Sequence, residues 1–460
     1  MKFYGRNQEI IRLLQLDEQS YSTSVFTLLL GRRRTGKTTL VKHAFQSKPL
    51  LYFFVSSKTE AMICKEFQQS IESLLGFHIY GQVDKFASLL HELMIYSQQH
   101  HVTLMIDEFQ RLYDINPAIM SEIQDVWDTY KDKAHIHLIA CGSVYSMMLK
   151  IFRDKKEPLF GRATAEIRLQ PFSTELLKQI LSDSNPNYTS EDLLMLYTIS
   201  GGVAKYVELL IDAGATDKDA MIDAVCQNGS VFLNEGSELL VGEFGKRYQV
   251  YFSILELIAN GMTSQSQIDS ILGTNSGRYL NTLEEEYNLI QKVRPMFAKP
   301  NSHGIKYALH DNFLTFWFRF IESNRSLVEM GKMDILKEIV HNSYAQFSGW
   351  MLERYFRQMY AEKERTTEVG RWWNTRSEDE IDMIAIERLD KRVTVAEVKR
   401  NANKINIEAT KERFANIRSH FRGYEIVFIP LSLEDRTFCM ISKLGFLSLK
   451  LCVSLPKIKV

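Results

Sequence analysis

Short apolar runs alternate with longer stretches of helical periodicity over the first 172 residues. The apolar runs cover residues 25–30, 49–55, 102–107, 135–143 and 165–172. Runs of this length that lack a polar alternation indicate strands buried on both faces, and strands separated by helices indicate a parallel sheet. The pattern therefore predicts an α/β domain that contains this sheet.

The pattern changes after residue 172. Residues 173–240 read as helices alone, interrupted by Gly201 and Gly202, and predict a helical lid. Residues 241–322 show three helical patterns and two short strand-like pieces, the outline of a winged helix-turn-helix; the aromatic run at 313–321 is interpreted as core. The last region, 323–460, has a charged helix near 330–339, a long helix from about 342, strands and a polar helix, and predicts a second α/β domain.

Composition sets limits on function without choosing one. The 460 residues include 56 basic and 56 acidic side chains, so global charge favours neither a nucleic-acid binder nor a membrane-surface protein. The five cysteines are scattered without a metal-binding spacing and are interpreted as reduced core residues. Neither a signal peptide nor a membrane-spanning run is recognisable, so we expect no membrane partner and a cytoplasmic location.

The loop after the first strand carries the strongest chemical signal. Residues 31–38 read GRRRTGKT and fit the phosphate-binding pattern G-x-x-x-x-G-K-[ST] between a strand and a helix. Gly31 and Gly36 allow the backbone N–H groups to turn toward phosphate oxygens, Lys37 can reach the β- and γ-phosphates, and Thr38 can bind Mg²⁺. The alternative, a solvated glycine loop, does not explain this context.

An acidic pair ends the strand at 102–107. Asp107 and Glu108 are expected at the carboxyl edge of the sheet, where open α/β sheets bind ligands. Asp107 would hold Mg²⁺ through water, and Glu108 would orient or activate the attacking water. Such a pair can also simply start a surface helix, but the phosphate loop upstream favours the catalytic interpretation.

Two further residues are weaker candidates for catalysis. Ser143 ends the next strand, where its hydroxyl could sense the γ-phosphate; a helix cap is the alternative. Arg162 follows in a turn and is a candidate for stabilising charge in the transition state; an arginine that is merely solvated is the alternative.

Several segments resemble a known family. FYGRNQEI, GRRRTGKTTL, MIDEFQRL, ACGSVYSMM, PLFGRAT and GGVAKYVELL resemble the archaeal-type ATPases of the AAA+ and STAND group, and DNFLTFWFRF and GRWWNTRSEDEIDMIAIE resemble the C-terminal domain of undefined function that accompanies them. The resemblance implies a central phosphate-loop strand, a helical lid, a winged helix and a C-terminal domain similar to restriction endonucleases.

The resemblance also implies a nucleotide-binding set. Tyr4, Gly5 and Arg6 match the family's N-terminal box near the adenine. Arg34, Thr35 and Thr39 belong to the phosphate loop and complete the predicted ATP-binding residues, together with Gly31, Gly36, Lys37 and Thr38. One departure is Ala204, where the family usually has proline after its GG-x step, and this puts a detail of the lid geometry in doubt.

Four residues of the last region resemble the site of PD-(D/E)xK nucleases. Asp382 stands in one predicted strand, and Glu397 and Lys399 project from one face of the next. Glu353, on the preceding helix, matches an acidic position often found in these enzymes. Glu353, Asp382 and Glu397 would hold Mg²⁺, and Lys399 would position or deprotonate water. The alternatives are a solvated helix face and a nuclease fold kept only for docking.

Local charge supports a nucleic-acid partner for this region alone. Residues 391–422 contain nine basic and three acidic side chains, which suits a phosphate backbone. The candidate recognition helix of the winged helix, 275–288, has Arg278 against Glu284, Glu285 and Glu286, so we expect it to pack between domains. Trp372 and Trp373 could stack on a base, but a place in the core is favoured.

Two hypotheses remain open. In the first, ATP and Mg²⁺ drive hydrolysis in the N-terminal half, which controls a DNA-cleaving C-terminal domain. In the second, ATP occupancy only rearranges the domains, and the C-terminal module binds nucleic acid or a protein partner. The sequence leaves the oligomeric state open, as it does the source of any arginine from a neighbouring subunit.

Overall fold

The computed structural model describes residues 1–244, 249–298, 304–374 and 378–434. Cys439, Cys452 and the end of the predicted 323–460 region lie outside these residues. Cys64, Cys141 and Cys226 are buried and free, as predicted. Within the described ranges no helix is both long enough and apolar enough to span a bilayer.

A five-stranded parallel sheet forms the centre of the N-terminal region, in the order β2-β3-β4-β1-β5. Its strands are β1 (Val25–Leu30), β2 (Leu51–Phe54), β3 (Val102–Asp107), β4 (Ile136–Cys141) and β5 (Ala165–Arg168). Every residue of β1, β3 and β4 is buried, which confirms the parallel sheet expected from uninterrupted apolar runs. β1 is an interior strand between β4 and β5, although the middle position belongs to β4.

Seven helices accompany this sheet. They are α1 (Asn7–Gln19), α2 (Lys37–Ala44), α3 (Glu60–Leu75), α4 (Phe86–Tyr96), α5 (Gln110–Ile115), α6 (Ala118–Tyr130) and α7 (Tyr145–Arg153). Two separate clusters of buried apolar side chains, one around Phe26 and Trp127 and the other around Leu29 and Val41, pack against the sheet. Helices therefore cover both faces, and the carboxyl edge of the sheet stays open for a site.

Helices alone follow, as the sequence predicts for the lid. They are α8 (Thr174–Ser184), α9 (Ser190–Ser200), α10 (Ala204–Asp212), α11 (Lys218–Val225) and α12 (Phe232–Phe244). The predicted boundary at 240 falls inside α12. The switch from strands to helices starts at Ser173, whose side chain caps α8 by accepting a hydrogen bond from the Leu176 N–H.

Three helices and a two-stranded antiparallel ribbon come next, in the predicted order. They are α13 (Gln249–Ala259), α14 (Gln265–Leu272), α15 (Gly277–Glu285), β6 (Ile290–Val293) and β7 (Lys306–Leu309). We call residues 288–298 and 304–311, which carry β6 and β7, the ribbon. The aromatic run then forms α16 (Asn312–Phe316), a π-helical turn (Trp317–Ile321), a 3-10 turn (Glu322–Asn324) and α17 (Arg325–Glu329). Its burial confirms the core interpretation.

The C-terminal region has a four-stranded sheet in the order β11-β10-β9-β8. Its elements are α18 (Met333–Ala361), β8 (Glu368–Trp373), β9 (Glu380–Glu387), β10 (Arg392–Val398), a 3-10 turn (Ala402–Lys404), α19 (Ile407–Ala415), a 3-10 turn (Arg418–Phe421) and β11 (Glu425–Leu431). β8, β9 and β10 are antiparallel, whereas β11 runs parallel to β10. Trp372 and Trp373 are buried, so the prediction that they are core residues is confirmed.

The expected break in the helix before this sheet was wrong. The sequence suggested one helix near 330–339 and another from about 342, but α18 is continuous over 29 residues. Its buried side chains include Leu336, Val340 and Tyr344, which carry the apolar face across the expected break. These side chains belong to one hydrophobic core together with the lid helices and the helices that precede the ribbon. This tertiary packing outweighs the locally polar sequence.

Candidate functional site

The phosphate loop has the backbone that its sequence requires. Gly36 has φ 91°, a left-handed conformation that costs glycine little, and it precedes the first turn of α2. A Cβ on Gly31 would lie 2.9 Å from the Leu169 carbonyl oxygen. The loop is thus closed against the segment after β5, and the N–H groups at the start of α2 point to its concave side.

Lys37 is held inside this loop. Its Nζ donates hydrogen bonds of 2.8 Å to the carbonyl oxygens of Gly31 and Arg32, and the residue is 7% exposed. Burial lowers the pKa of Lys37, while the charges of Asp107 and Glu108 oppose the shift. The Lys37 ammonium therefore lies inside the loop, where the sequence predicts a charge that neutralises phosphate.

Thr38 and Asp107 meet across the carboxyl edge of the sheet. Thr38 Oγ1 donates to Asp107 Oδ2 at 2.6 Å, and the Tyr52 hydroxyl donates to the same oxygen at 3.0 Å. The Thr38 hydroxyl and the Asp107 carboxylate suit Mg²⁺, which prefers oxygen ligands. The two predicted ligands are thus close enough to share one ion, and the predicted pair is brought together.

Glu108 is fixed by two neighbours. Its Oε2 accepts a hydrogen bond of 2.7 Å from Ser143 Oγ and one of 2.5 Å from Gln110 Nε2. Glu108 has φ 58°, a conformation that costs a non-glycine residue about 1–2 kcal/mol. Backbone strain at a carboxylate that two side chains hold is common at functional sites.

The N-terminal box borders the same cavity. The cavity has a volume of about 880 Å³, and its lining includes Tyr4, Arg6, Lys37, Asp107 and Ser143. Thr35 and Thr39 also line it, as does Arg34. The predicted nucleotide-binding and catalytic residues of the first region, other than Gly5 and Arg162, therefore lie around one cavity or in the loop that borders it.

The backbone of the N-terminal box has an unusual conformation, and neighbouring side chains pack against it. Gly5 and Arg6 have φ of 61° and 67°. A Cβ on Gly5 would lie 2.7 Å from a methyl group of Leu176, and the Arg6 guanidinium lies 4.8 Å from the centre of the Phe172 ring. Burial lowers the pKa of Arg6, although Glu9 opposes the shift.

In the C-terminal region, Lys399 lies between two of the predicted metal ligands. Its Nζ is 3.0 Å from Asp382 Oδ2 and 3.7 Å from Glu397 Oε1. Asp382 Oδ2 also accepts the Val398 N–H at 2.9 Å, and Glu397 Oε2 accepts the Thr410 hydroxyl at 2.7 Å. The structure thus brings together three of the four residues predicted from the pattern.

Glu353, the fourth, faces arginines. Its Oε2 lies 3.3 Å from Arg357 Nη1 and 3.5 Å from Arg371 Nη2. Burial raises the pKa of Glu353, an effect that Arg371 opposes and Asp382 increases. Among residues 1–244, 249–298, 304–374 and 378–434, no three His, Cys, Asp or Glu side chains are arranged to hold a metal ion. In this arrangement the carboxylates of Glu353, Asp382 and Glu397 are paired with Arg357, Arg371 and Lys399, and their role as metal ligands stays a prediction.

Two family models match parts of this chain. Residues 3–210 match the family model of an ATPase domain found predominantly in Archaea. Residues 3–210 are therefore similar to that ATPase domain, and because of this similarity we use the name ATPase domain for them. Residues 317–418 match a family of archaeal and bacterial proteins of unknown function.

Two relatives extend beyond the ATPase domain. An uncharacterized protein of Methanocaldococcus jannaschii is 26% identical over 458 residues, which cover 95% of this chain and 98% of that protein. The structure of a Walker-type ATPase of Pyrococcus abyssi superposes with a TM-score of 0.52 at 21% identity, over 69% of this chain and 96% of that one. The second comparison shows a shared fold.

Arg162 is not among the residues that line the cavity of about 880 Å³. Its guanidinium pairs with Asp128 of α6 at 3.0 Å and donates to the Phe160 carbonyl oxygen. The residue therefore does not reach the phosphate loop of its own chain in this arrangement. A catalytic role for Arg162 stays a prediction.

Two arginines of the phosphate loop point to other parts of the chain. Arg34 pairs with the buried Glu235 of α12 at 2.5 Å. Arg32 lies 3.5 Å from Asp311 and also donates to the Asn288 carbonyl oxygen. Asn288 precedes β6 and Asp311 follows β7, so one guanidinium contacts both ends of the ribbon. The ATPase domain is thus joined to the lid and to the ribbon through its phosphate loop.

Ala204 stands where the family usually has proline, and the lid helix that starts there contacts the phosphate loop. α10 starts at Ala204, and the Lys205 N–H donates to the Arg34 carbonyl oxygen at 3.1 Å. The Ala204 Cβ lies 3.7 Å from the position that a Cβ on Gly36 would take. The lid helix therefore begins directly against the phosphate loop.

Sequence reasoning missed the residues that support the first site. Tyr52 and Gln110 hold Asp107 and Glu108, and Glu235 and Asp311 pair with the loop arginines. Tyr52 carried a usable signal, because a hydroxyl in an apolar strand next to β3 needs a partner. Gln110 lies only two residues after Glu108, whereas Glu235 and Asp311 make contacts between distant segments, for which one sequence offers no signal.

Proposed function

We propose that the ATPase domain binds ATP and hydrolyses it. The observation that carries the proposal is the connected group around the cavity: Lys37 in the loop, Thr38 bonded to Asp107, and Glu108 bonded to Ser143. A positive charge, a candidate metal-binding pair and a candidate base at the end of one sheet suit the requirements of phosphoryl transfer. Thr38 and Asp107 would hold Mg²⁺, which when bound neutralises phosphate charge.

The residues of the chain supply the remaining chemistry. Backbone N–H groups at the start of α2 and the Lys37 ammonium bind the β- and γ-phosphates. Glu108 accepts a proton from the attacking water or orients it, while Ser143 and Gln110 fix the carboxylate. Tyr4 and Arg6, on either side of Gly5, border another part of the cavity, where the family resemblance implies that the base of the nucleotide would lie.

Phosphate release by the purified full chain tests this proposal. We expect steady release from ATP in the presence of Mg²⁺, and at least a 100-fold loss in Lys37→Ala, because the loop then lacks its phosphate-neutralising charge. Lys58→Ala is the matched control, since Lys58 forms an exposed ion pair with Glu66. No release by the wild-type chain, or equal release by Lys37→Ala, would contradict the proposal.

We further propose that nucleotide state controls a nuclease-like C-terminal domain. Its support is the order helix, three strands, helix and strand, with Lys399 between Asp382 and Glu397. This resembles the PD-(D/E)xK arrangement, and the basic surplus of residues 391–422 suits DNA. The contacts of Arg32 with both ends of the ribbon, which we interpret as the wing of a winged helix, offer the path for control.

The competing function is a switch without cleavage. In that case nucleotide occupancy changes the contacts of the ribbon and the lid, and the C-terminal domain only binds nucleic acid or a protein. The arginines on Glu353 favour this alternative for the arrangement observed, because the acidic residues are paired with cations. Cleavage by the wild type and its dependence on Lys399 separate the two functions.

A further inference from the structure

The acidic site of the C-terminal region is balanced by protein cations. Lys399 forms ion pairs with Asp382 and Glu397, and Arg357 forms one with Glu353. Arg371 Nη2 lies 3.5 Å from Glu353 Oε2 and 3.2 Å from Glu380 Oε2. A divalent ion here would have to displace a positive charge from a buried carboxylate, which is costly unless the displaced group finds another partner.

Arg371 stands at an irregularity of the sheet. The register of β8 on β9 shifts between Gly370 and Trp372, at the level of Asp382. Such irregularities redirect a side chain and are common next to active sites. The Arg371 side chain is 18% exposed, and its buried Nε has no hydrogen-bond partner within the described ranges. Its orientation toward Glu353 therefore needs support from outside the strand.

The ribbon supplies that support. The Met296 N–H donates to the Arg371 carbonyl oxygen at 2.8 Å, and the Met296 side chain is buried among the apolar residues of the C-terminal sheet. Phe297 stacks on His420, with ring centres 4.4 Å apart. Lys306 pairs with Glu380 at 2.8 Å. The ribbon thus contacts Arg371 and one of the two carboxylates that Arg371 contacts.

Gly370 makes this docking sterically feasible. A Cβ at Gly370 would lie 2.6 Å from Met296 Cγ and 2.8 Å from its Sδ. Only glycine therefore leaves room for the ribbon against β8 without a shift of Met296. The same variant offers a way to disturb the ribbon while every charged residue of the site is kept.

We propose that the docked ribbon holds Arg371 on Glu353 and thereby closes the acidic site of the C-terminal domain to divalent cations. The ribbon is thus an autoinhibitory element, not a DNA reader. Because Arg32 of the phosphate loop contacts both ends of this ribbon, movement of the loop would reach the inhibitory contact directly. The inference rests on the nuclease-like site proposed above, for which it explains why the predicted ligands are paired with cations.

Mn²⁺ titration of the nucleotide-free full chain, followed by electron paramagnetic resonance of free Mn²⁺, tests the inference. We expect Arg371→Gln to bind one Mn²⁺ at least tenfold more tightly than the wild type, because one positive charge leaves the site. Adding Asp382→Asn to this variant should abolish the gain. Gly370→Ala should also strengthen binding, since it displaces the ribbon.

Matched controls separate this effect from general damage. Arg388→Ala removes an exposed arginine of the same sheet that pairs with Glu368. Gly349→Ala adds a Cβ on α18 that meets nothing within 4 Å. Both should bind Mn²⁺ like the wild type, and unfolding curves check that each variant is folded. Should Gly370→Ala not fold, Phe297→Ala loosens the same contact.

Three results would overturn the inference. They are wild-type affinity in folded Arg371→Gln, a gain in Arg371→Gln that persists when Asp382→Asn is added, and wild-type affinity in folded Gly370→Ala. Because the titration contains no nucleotide, failure of the ATPase proposal leaves these outcomes unchanged. A gain of Mn²⁺ affinity without DNA cleavage would retain the autoinhibitory contact and reject the nuclease.

Discussion

Glu108→Gln is expected to bind ATP like the wild type and to turn it over about 10²–10⁴ times more slowly. Glutamine keeps an oxygen that can accept the hydrogen bond from Ser143, so the local structure should persist. It cannot accept a proton from water, and it places an amide where the carboxylate was. The variant therefore separates the affinity for ATP from the rate of the chemical step.

Two measurements read out this separation. Fluorescent-nucleotide competition reports affinity, and single-turnover phosphate release reports the chemical step. Glu72→Gln is the control, because Glu72 pairs on the surface with His78. Turnover at the wild-type rate in Glu108→Gln would show that another group activates the water.

Lys399→Ala is expected to lower DNA nicking at least about 100-fold, the typical loss when a positioned charge is removed from an active site. The wild type should nick DNA in the presence of ATP and Mg²⁺ or Mn²⁺, and Lys37→Ala should change the rate through the ATPase domain. Lys411→Ala is the control, because Lys411 is an exposed residue of α19 that pairs with Glu408.

The outcome decides between cleavage and binding alone. Hydrolysis of ATP without nicking, with Lys399→Ala indistinguishable from the wild type, would exclude the nuclease and favour the switch. Nicking that is lost in Lys399→Ala and altered in Lys37→Ala would exclude the switch without cleavage.

The placement of the residues of the first site could be predicted closely because each of its segments is local and a parallel sheet brings the segments together. Gly31 to Thr38 form one turn between a strand and a helix, and Asp107 ends a strand that must share its edge with β1. A parallel sheet brings such ends together, so sequence spacing alone suffices. The strand limits were less exact: residues 135–143 were expected in β4, which covers Ile136–Cys141.

The C-terminal site shows what a single sequence leaves out. Strand alternation placed Glu397 and Lys399 on one face, and both do lie at Asp382. Arg357 and Arg371 decide whether the carboxylates are available, yet they lie on other elements. Arg371 lies at a strand irregularity and contacts a ribbon about 75 residues away in the chain, and neither feature leaves a pattern in composition or periodicity.

Calorimetric titration of the folded chain with ATP and Mg²⁺ tests the central claim most directly. The account predicts one nucleotide bound per ATPase domain, with affinity at least tenfold weaker in Lys37→Ala because the loop loses its buried ammonium. Circular dichroism would establish that both proteins are folded. Absence of binding to ATP and GTP, with or without Mg²⁺, would contradict the account.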